Sequence, residues 1–125
     1  MERLAESGFD VLVRELVQDG AHLLGVCAGM QLLFEHGEEG QVDGLGLLSG
    51  QVQQFDRSRF RERLPLPNVG WRRCYERGRL GQFFLEHVPS APRFYFVHSY
   101  HPVNVDPEAE LLRSEYGYEF TCGVA

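Results

Sequence analysis

The feature that most constrains this chain is a cysteine between two glycines, at the junction of two apolar segments. Ala21 to Val26 is a short apolar run, as is typical of a buried strand. The sequence GVCAG follows from Gly25 to Gly29 and continues into good helix formers. A strand that turns sharply into a helix leaves no room for side chains two residues on either side of the turn. The pattern G-x-C-x-G therefore predicts a nucleophile elbow centred on Cys27.

Two interpretations of Cys27 are open at this point. Free cysteines often serve as small buried hydrophobic residues, and on this interpretation Cys27 only packs. On the other interpretation, Cys27 is a nucleophile at the carboxyl end of a sheet, where open α/β sheets bind ligands. The start of the following helix would then favour the thiolate, and the backbone amide of Ala28 would stabilise an oxyanion.

The first half of the chain predicts alternating helix and strand. Apolar residues from Phe9 to Val17 recur at helical spacing, and Gly20 ends that helix. The apolar run 21–26 follows as a strand, and a second helix is predicted to continue to about His36, before Gly37. Helix, buried strand and helix in succession predict a parallel sheet that is covered on both faces.

The second half is predicted to be mostly strand. Alternating, aromatic or branched residues indicate strands in QVQQF, VGWRRCYE and RFYFVHSYHPV, and two more short strands flank Gly117. Residues 56–67 are charged and contain two prolines, which indicates a surface loop. No composition break divides the chain, so residues 1–125 are interpreted as one domain.

Composition excludes several classes of function. The formal net charge of −6 argues against a nucleic-acid partner. No apolar run reaches the roughly 18 residues of a membrane span, so no membrane partner is expected. The three cysteines, Cys27, Cys74 and Cys122, are too few and too widely spaced for a disulfide framework or a metal site. A reducing, cytoplasmic location is the expectation.

Longer motifs carry a specific resemblance. The string GVCAGMQLLFE resembles the class I glutamine amidotransferases, in which the cysteine attacks the side-chain amide of glutamine. PLPNVGW, FYFVHSYHPV, GLGLLSGQVQQF and YGYEFTCGVA resemble segments of the glutamine amidotransferase subunits of imidazole glycerol phosphate synthase, in the same order. The resemblance implies a flavodoxin-like α/β fold, with a mixed or parallel sheet flanked by helices.

The resemblance also implies roles for individual residues. Cys27 would be the nucleophile, and the Ala28 amide would bind the oxyanion. Four residues would contact glutamine, and four would lie at the interface with a cyclase subunit, to which ammonia passes for histidine biosynthesis. The glutamine-binding residues are Gly29, Gln31, Ser99 and Tyr100; the interface residues are Pro67, Asn68, Val69 and Trp71. Neither a metal nor an organic cofactor is implied.

The sequence also departs from the family pattern. The family's catalytic histidine and glutamate follow the last strands, whereas this sequence ends at Ala125. It also starts at an internal family position, so we expect a domain that is truncated at both ends and a chain that is inactive alone. His98 and His101 are interpreted as packed histidines rather than as a replacement base. Alternatives are a non-catalytic remnant with the docking surface, or an amidotransferase of another pathway.

Overall fold

The computed structural model of the protein describes residues 2–88 and 91–125 and contains short helices and two four-stranded sheets. The helices are α1 (Glu2–Glu6), α2 (Phe9–Gln18), α3 (Ala28–Gln31) and α4 (Gly78–Phe84), with a 3-10 turn at Arg57–Arg59. The strands are β1 (Phe34–Gly37), β2 (Val42–Asp43), β3 (Leu48–Gln54), β4 (Asn68–Glu76), β5 (Arg93–His98), β6 (Tyr100–Val103), β7 (Glu110–Tyr116) and β8 (Tyr118–Val124).

The mixed α/β composition confirms the predicted fold class. One sheet has the strand order β2-β1-β3-β6, and the other has the order β5-β4-β7-β8. Among the described strands, only β1 and β3 are parallel, and every other pair is antiparallel. The predicted parallel sheet is therefore present only as one pair of strands.

Helix α2 forms where the apolar periodicity predicted it. It ends before Gly20, which has a φ of 89°, a backbone conformation that glycine adopts without strain. Arg14 holds the helix to the loop before β3, because its Nε donates to the carbonyl of Leu45 at 2.9 Å. The apolar side chains of Phe9 and Leu12 remain about half exposed on this helix.

The prediction of a buried strand at Ala21–Val26 is wrong. These residues form no regular secondary structure, and the side chains of Leu24 and Val26 are 86% and 73% exposed. A strand exists only where a neighbouring strand takes up its N–H and C=O groups. No strand in the described parts of the chain pairs with this segment, so its apolar character alone does not make it a strand.

The predicted second helix also ends earlier than expected. Helix α3 has one turn and is followed by β1, so the chain from Phe34 onwards is extended rather than helical. Phe34 is fully buried, and β1 pairs with β3 through the register Phe34↔Leu48. Gly44 packs against the Phe34 carbonyl so closely that a Cβ would overlap it. Burial of Phe34 between strands thus outweighs the helix propensity of this segment.

The strands of the second half follow the prediction, with one exception. The aromatic run 93–103 divides at Ser99, so β5 joins one sheet and β6 joins the other. The backbone N–H of Phe55 donates to the Ser99 carbonyl at 3.0 Å and fixes this corner. Across this corner, His98 and His101 both contact Phe55, at ring-centroid distances of 5.2 and 4.6 Å.

Phe55 is the centre of the larger core cluster, and its side chain is 2% exposed. Aromatic rings from β5, β6, β7 and β8 surround it: His98, His101, Tyr116, Tyr118 and Phe120. The loop 56–67 is irregular, as predicted, apart from its 3-10 turn. It nevertheless covers this core, because Phe60 packs against Phe55 with a ring distance of 6.1 Å.

The two core histidines predict a loss of stability in mild acid. Burial lowers the pKa of both His98 and His101, although a backbone carbonyl on each ring opposes the shift. The unfolded chain binds more protons once the pH falls below the ordinary histidine value of 6.5. We expect the free energy of unfolding to be highest above pH 6.5 and to fall as the pH drops below it.

Urea denaturation on both sides of that pH measures this effect. His101→Gln should reduce the slope of stability against pH, whereas His22→Gln, at an exposed position, should leave it unchanged. An equal slope in the wild type and His101→Gln would contradict the assignment of the pH dependence to the core.

Candidate active site

Cys27 lies at a strained turn immediately before α3. Its backbone has φ 54° and ψ −119°, in a region that residues with a side chain rarely adopt. The thiol is exposed. Strain of this kind persists only where the surrounding structure holds it. The strained backbone and the helix that follows it agree with the predicted nucleophile elbow, but the strand that should precede the turn is absent, because residues 21–26 are irregular.

The two glycines of the elbow have different roles. A Cβ on Gly25 would lie 2.6 Å from the Gly29 carbonyl oxygen and 2.8 Å from the Met30 nitrogen, so a side chain is excluded there. A Cβ on Gly29 would meet no atom within 4 Å. The expected steric need for glycine therefore applies to Gly25 but not to Gly29.

The backbone amides after Cys27 are unequally available. The N–H of Gly29 donates to the Val26 carbonyl at 2.9 Å, and those of Met30 and Gln31 donate to the Cys27 carbonyl at 3.0 and 3.1 Å. Within residues 2–88 and 91–125, the N–H of Ala28 has no such acceptor. It is therefore free to receive a negatively charged oxygen next to the thiol.

A cavity of about 370 Å³ lies between the elbow and the strands β5 to β8. Of the residues predicted for the site, Cys27, Gln31 and Tyr100 line this cavity. Ala28, Gly29 and Ser99 are not among its lining residues. The fold thus brings Cys27 and Tyr100, which are far apart in sequence, to the walls of one cavity.

Both histidines near Tyr100 also line the cavity, but their ring nitrogens are occupied. His98 bonds to the Tyr100 carbonyl through Nδ1 at 2.8 Å and to the Asn68 amide through Nε2 at 2.9 Å. His101 bonds to the Pro102 carbonyl at 2.9 Å and to the Tyr118 hydroxyl at 2.9 Å. No other histidine lines this cavity in the described part of the chain.

The residues predicted for a partner interface divide into two groups. Val69 and Trp71 are 49% and 58% exposed on one face of β4, and Pro67 is exposed beside them. Asn68 is fully buried and holds His98 and Arg72. Sequence analysis missed two members of the exposed face, because the pairings Val69↔Val97 and Trp71↔Tyr95 depend on strand register.

Cys74 and Cys122 also line the cavity, and their sulfur atoms are 3.6 Å apart. The hydrogen bond from Cys122 lowers the pKa of Cys74, whereas the interaction with Cys74, together with burial, raises the pKa of Cys122. In the described residues, no group of three or more His, Cys, Asp or Glu side chains could hold a metal ion. No helix there has the length and apolar character to span a membrane.

The unequal glycines predict unequal substitutions. Gly25→Ala should cost about 1–3 kcal/mol of unfolding free energy, because its Cβ overlaps backbone atoms that cannot rotate away. Gly29→Ala should be neutral or stabilising by up to about 1 kcal/mol, since alanine is the better helix former. Urea denaturation of the two variants measures this difference, and an equal loss in both would contradict the geometry of the turn.

Comparison with known proteins gives whole-chain relatives. No family model matches the chain. The chain is 42% identical over 126 residues to the imidazole glycerol phosphate synthase subunit HisH of Sulfurimonas denitrificans, covering all of this chain and 59% of that protein. It is 40% identical to subunit HisH of Wolinella succinogenes, covering 99% of this chain and 60% of the relative. It is 41% identical to subunit HisH of Chromobacterium violaceum, covering 98% of this chain and 57% of that protein.

The chain therefore spans somewhat less than two thirds of the length of these relatives. The match covers the whole of this chain and therefore includes the cysteine turn, β4 and the corner at Ser99. The resemblance seen in the sequence motifs is confirmed: over its whole length, this chain is related to subunit HisH of imidazole glycerol phosphate synthase.

Proposed function

We propose that the chain acts in a glutaminase, the amidotransferase subunit that hydrolyses glutamine to glutamate and ammonia for imidazole glycerol phosphate formation. The observation that carries this proposal is the strained, exposed Cys27, which shares one cavity with Gln31 and Tyr100. The relationship to subunit HisH supplies the reaction class. Histidine biosynthesis in the cytoplasm is the proposed setting, without a metal or organic cofactor.

In the proposed reaction, Cys27 attacks the carboxamide carbon of the glutamine side chain. A bond forms between Sγ and that carbon, and the carbonyl oxygen becomes an oxyanion that the free N–H of Ala28 can bind. The C–N bond then breaks as the amide nitrogen takes up the proton lost by the thiol and leaves as ammonia, and a γ-glutamyl thioester remains. Water then cleaves the thioester to glutamate and returns the thiol.

Four residues are proposed to hold glutamine. Gln31 is one helical turn beyond Cys27 and lines the cavity, as does Tyr100. Gly29 adds little bulk beside the nucleophile, which leaves space for the substrate. Ser99 lies at the corner between the two sheets, where backbone groups of Ser99 and Tyr100 can bind the α-amino acid group.

A cyclase subunit is the proposed partner, and the exposed face of β4 and β5 is its proposed docking surface. Val69, Trp71, Tyr95 and Val97 form a continuous apolar patch, because cross-strand partners lie on the same face. Patches of aromatic residues are typical of interfaces. Pro67 borders the patch, and Asn68 supports it from the buried side of β4.

We further propose that these 125 residues alone hydrolyse glutamine poorly. The ring nitrogens of His98 and His101 are all engaged, and burial lowers the pKa of both rings. Neither ring is then available to take the thiol proton or to protonate the leaving ammonia.

Labelling with a diazoketone analogue of L-glutamine tests the glutamine site without requiring turnover. We expect one label, on Cys27, and none on Cys74 or Cys122, with the sites mapped by mass spectrometry. Excess L-glutamine should suppress the label, whereas D-glutamine should not, and Cys27→Ser should remain unlabelled. Labelling of Cys27 that L-glutamine fails to suppress would indicate an exposed thiol without a glutamine site. Ammonia release, measured in parallel with and without a cyclase subunit, should stay near background.

Affinity for a cyclase subunit tests the docking surface. Trp71→Ala should weaken binding about tenfold or more, because buried tryptophans are typical interface hot spots. Phe83→Ala is the matched control, since Phe83 is an exposed aromatic residue on α4, outside the patch. Isothermal titration calorimetry measures both, and equal affinities would locate the interface elsewhere.

A non-catalytic docking module is the second candidate function. It is favoured by one pair of observations: the histidines are engaged, while the β4–β5 face is exposed. Cyclase binding that depends on Trp71, without labelling that L-glutamine suppresses, would support this candidate. Suppressible labelling without cyclase binding would instead indicate an amidotransferase of another pathway.

A further inference from the structure

A continuous chain of hydrogen bonds joins β4 to the corner between the two sheets. Arg72 Nε donates to Asn68 Oδ1 at 3.0 Å, and Asn68 Nδ2 lies 2.9 Å from His98 Nε2. His98 Nδ1 lies 2.8 Å from the Tyr100 carbonyl oxygen. Asn68 and His98 are directly opposite each other in the β4–β5 ladder. The series of hydrogen bonds thus crosses from β4 to His98 on β5 and ends at Tyr100, two residues after His98.

The chemistry of the groups fixes the direction of every bond. A guanidinium only donates, so the Asn68 atom that faces Arg72 is its carbonyl oxygen. The amide nitrogen of Asn68 therefore faces His98 and donates to it. His98 Nε2 must then accept, which leaves the ring proton on Nδ1, where it is donated to the Tyr100 carbonyl. No other arrangement of the amide and the ring satisfies all three contacts.

The environment prevents these groups from exchanging partners freely. The Asn68 side chain is fully buried, so water does not compete for its amide. The Arg72 guanidinium lies over the Tyr116 ring, 5.0 Å from the ring centroid, which holds it beside Asn68. The His98 ring packs against Phe55 and Phe96, both 5.2 Å away between centroids. Rotation of Asn68 would leave buried donors facing one another.

We infer that Arg72, Asn68 and His98 form a positioning unit that fixes the Nδ1–H tautomer of His98 and thereby orients the Tyr100 carbonyl. The consequence for activity rests on the proposed function, in which Ser99 and Tyr100 bind glutamine. Asn68 lies on the same strand as Val69 and Trp71, so the unit connects the proposed docking strand to the proposed substrate corner.

Nitrogen-15 NMR of the histidine rings tests the tautomer in the wild-type chain. We expect the neutral His98 ring to carry its proton on Nδ1 and none on Nε2. The less constrained His22, which is exposed, serves as the internal reference. A proton on Nε2 of neutral His98 would overturn the inference without any variant being made.

Two substitutions test the origin of the tautomer. Asn68→Asp replaces the amide donor with an acceptor, so Nε2 should gain a proton while Nδ1 keeps its own. Arg72→Met removes the donor that orients the amide, so both tautomers should be populated. The matched controls are Asn104→Asp, at an exposed position, and Arg73→Met. Arg73 is the neighbour of Arg72 in sequence, but its side chain lies on the opposite face of β4. Neither control should change the His98 signals.

The backbone amide signals of Ser99, Tyr100 and His101 complete the test. They should shift in Asn68→Asp and Arg72→Met but not in the controls, because the Tyr100 carbonyl moves with the ring. The inference would be overturned if both variants left the His98 ring nitrogen signals unchanged, or if both left the backbone amide signals of residues 99–101 unchanged. Titration with L-glutamine examines the proposed function separately: no shift at Cys27 or Tyr100 would remove that function, while the ring signals still decide the positioning unit.

Discussion

The packing of Phe55 against rings from both sheets is the interaction on which the rest of the structure depends. Phe55 directly follows β3, and its backbone N–H holds the Ser99 carbonyl, where the chain passes from β5 to β6. His98 of one sheet and His101 of the other lie against the same Phe55 ring. One buried residue therefore packs against both sheets and holds the backbone at the Ser99 corner.

That corner determines which side chains can meet. The chain passes from one sheet to the other at Ser99, and Tyr100, the first residue after this break, lines the same cavity as Cys27. The elbow supplies the opposite wall, and Gly25 allows the backbone of the turn to close on itself. The same constraint explains why His98 and His101 are poor candidates for a base. Both are ring partners of Phe55, and their nitrogens satisfy neighbouring polar groups rather than the thiol.

Several features were predictable from local sequence because local physics determines them. The periodicity from Phe9 gives α2, the turn at Gly117 gives the hairpin of β7 and β8, and GVCAG gives the strained cysteine. The failures occur where long-range pairing decides. Ala21–Val26 has the composition of a strand but no strand beside it, and Phe34 leaves the predicted helix because burial against β3 is worth more than one further helical turn.

The sequence by itself determined the identity and strain of Cys27, most strands of the second half of the chain, and the relationship to subunit HisH. These properties depend on residue types within a few positions of one another, or on motifs in a fixed order. Only the tertiary structure decided that Tyr100 shares a cavity with Cys27, that Asn68 is buried while Trp71 is exposed, and that Tyr95 extends the apolar face. Strand register and the break at Ser99 control these contacts, and both depend on pairing between residues that are far apart in the sequence.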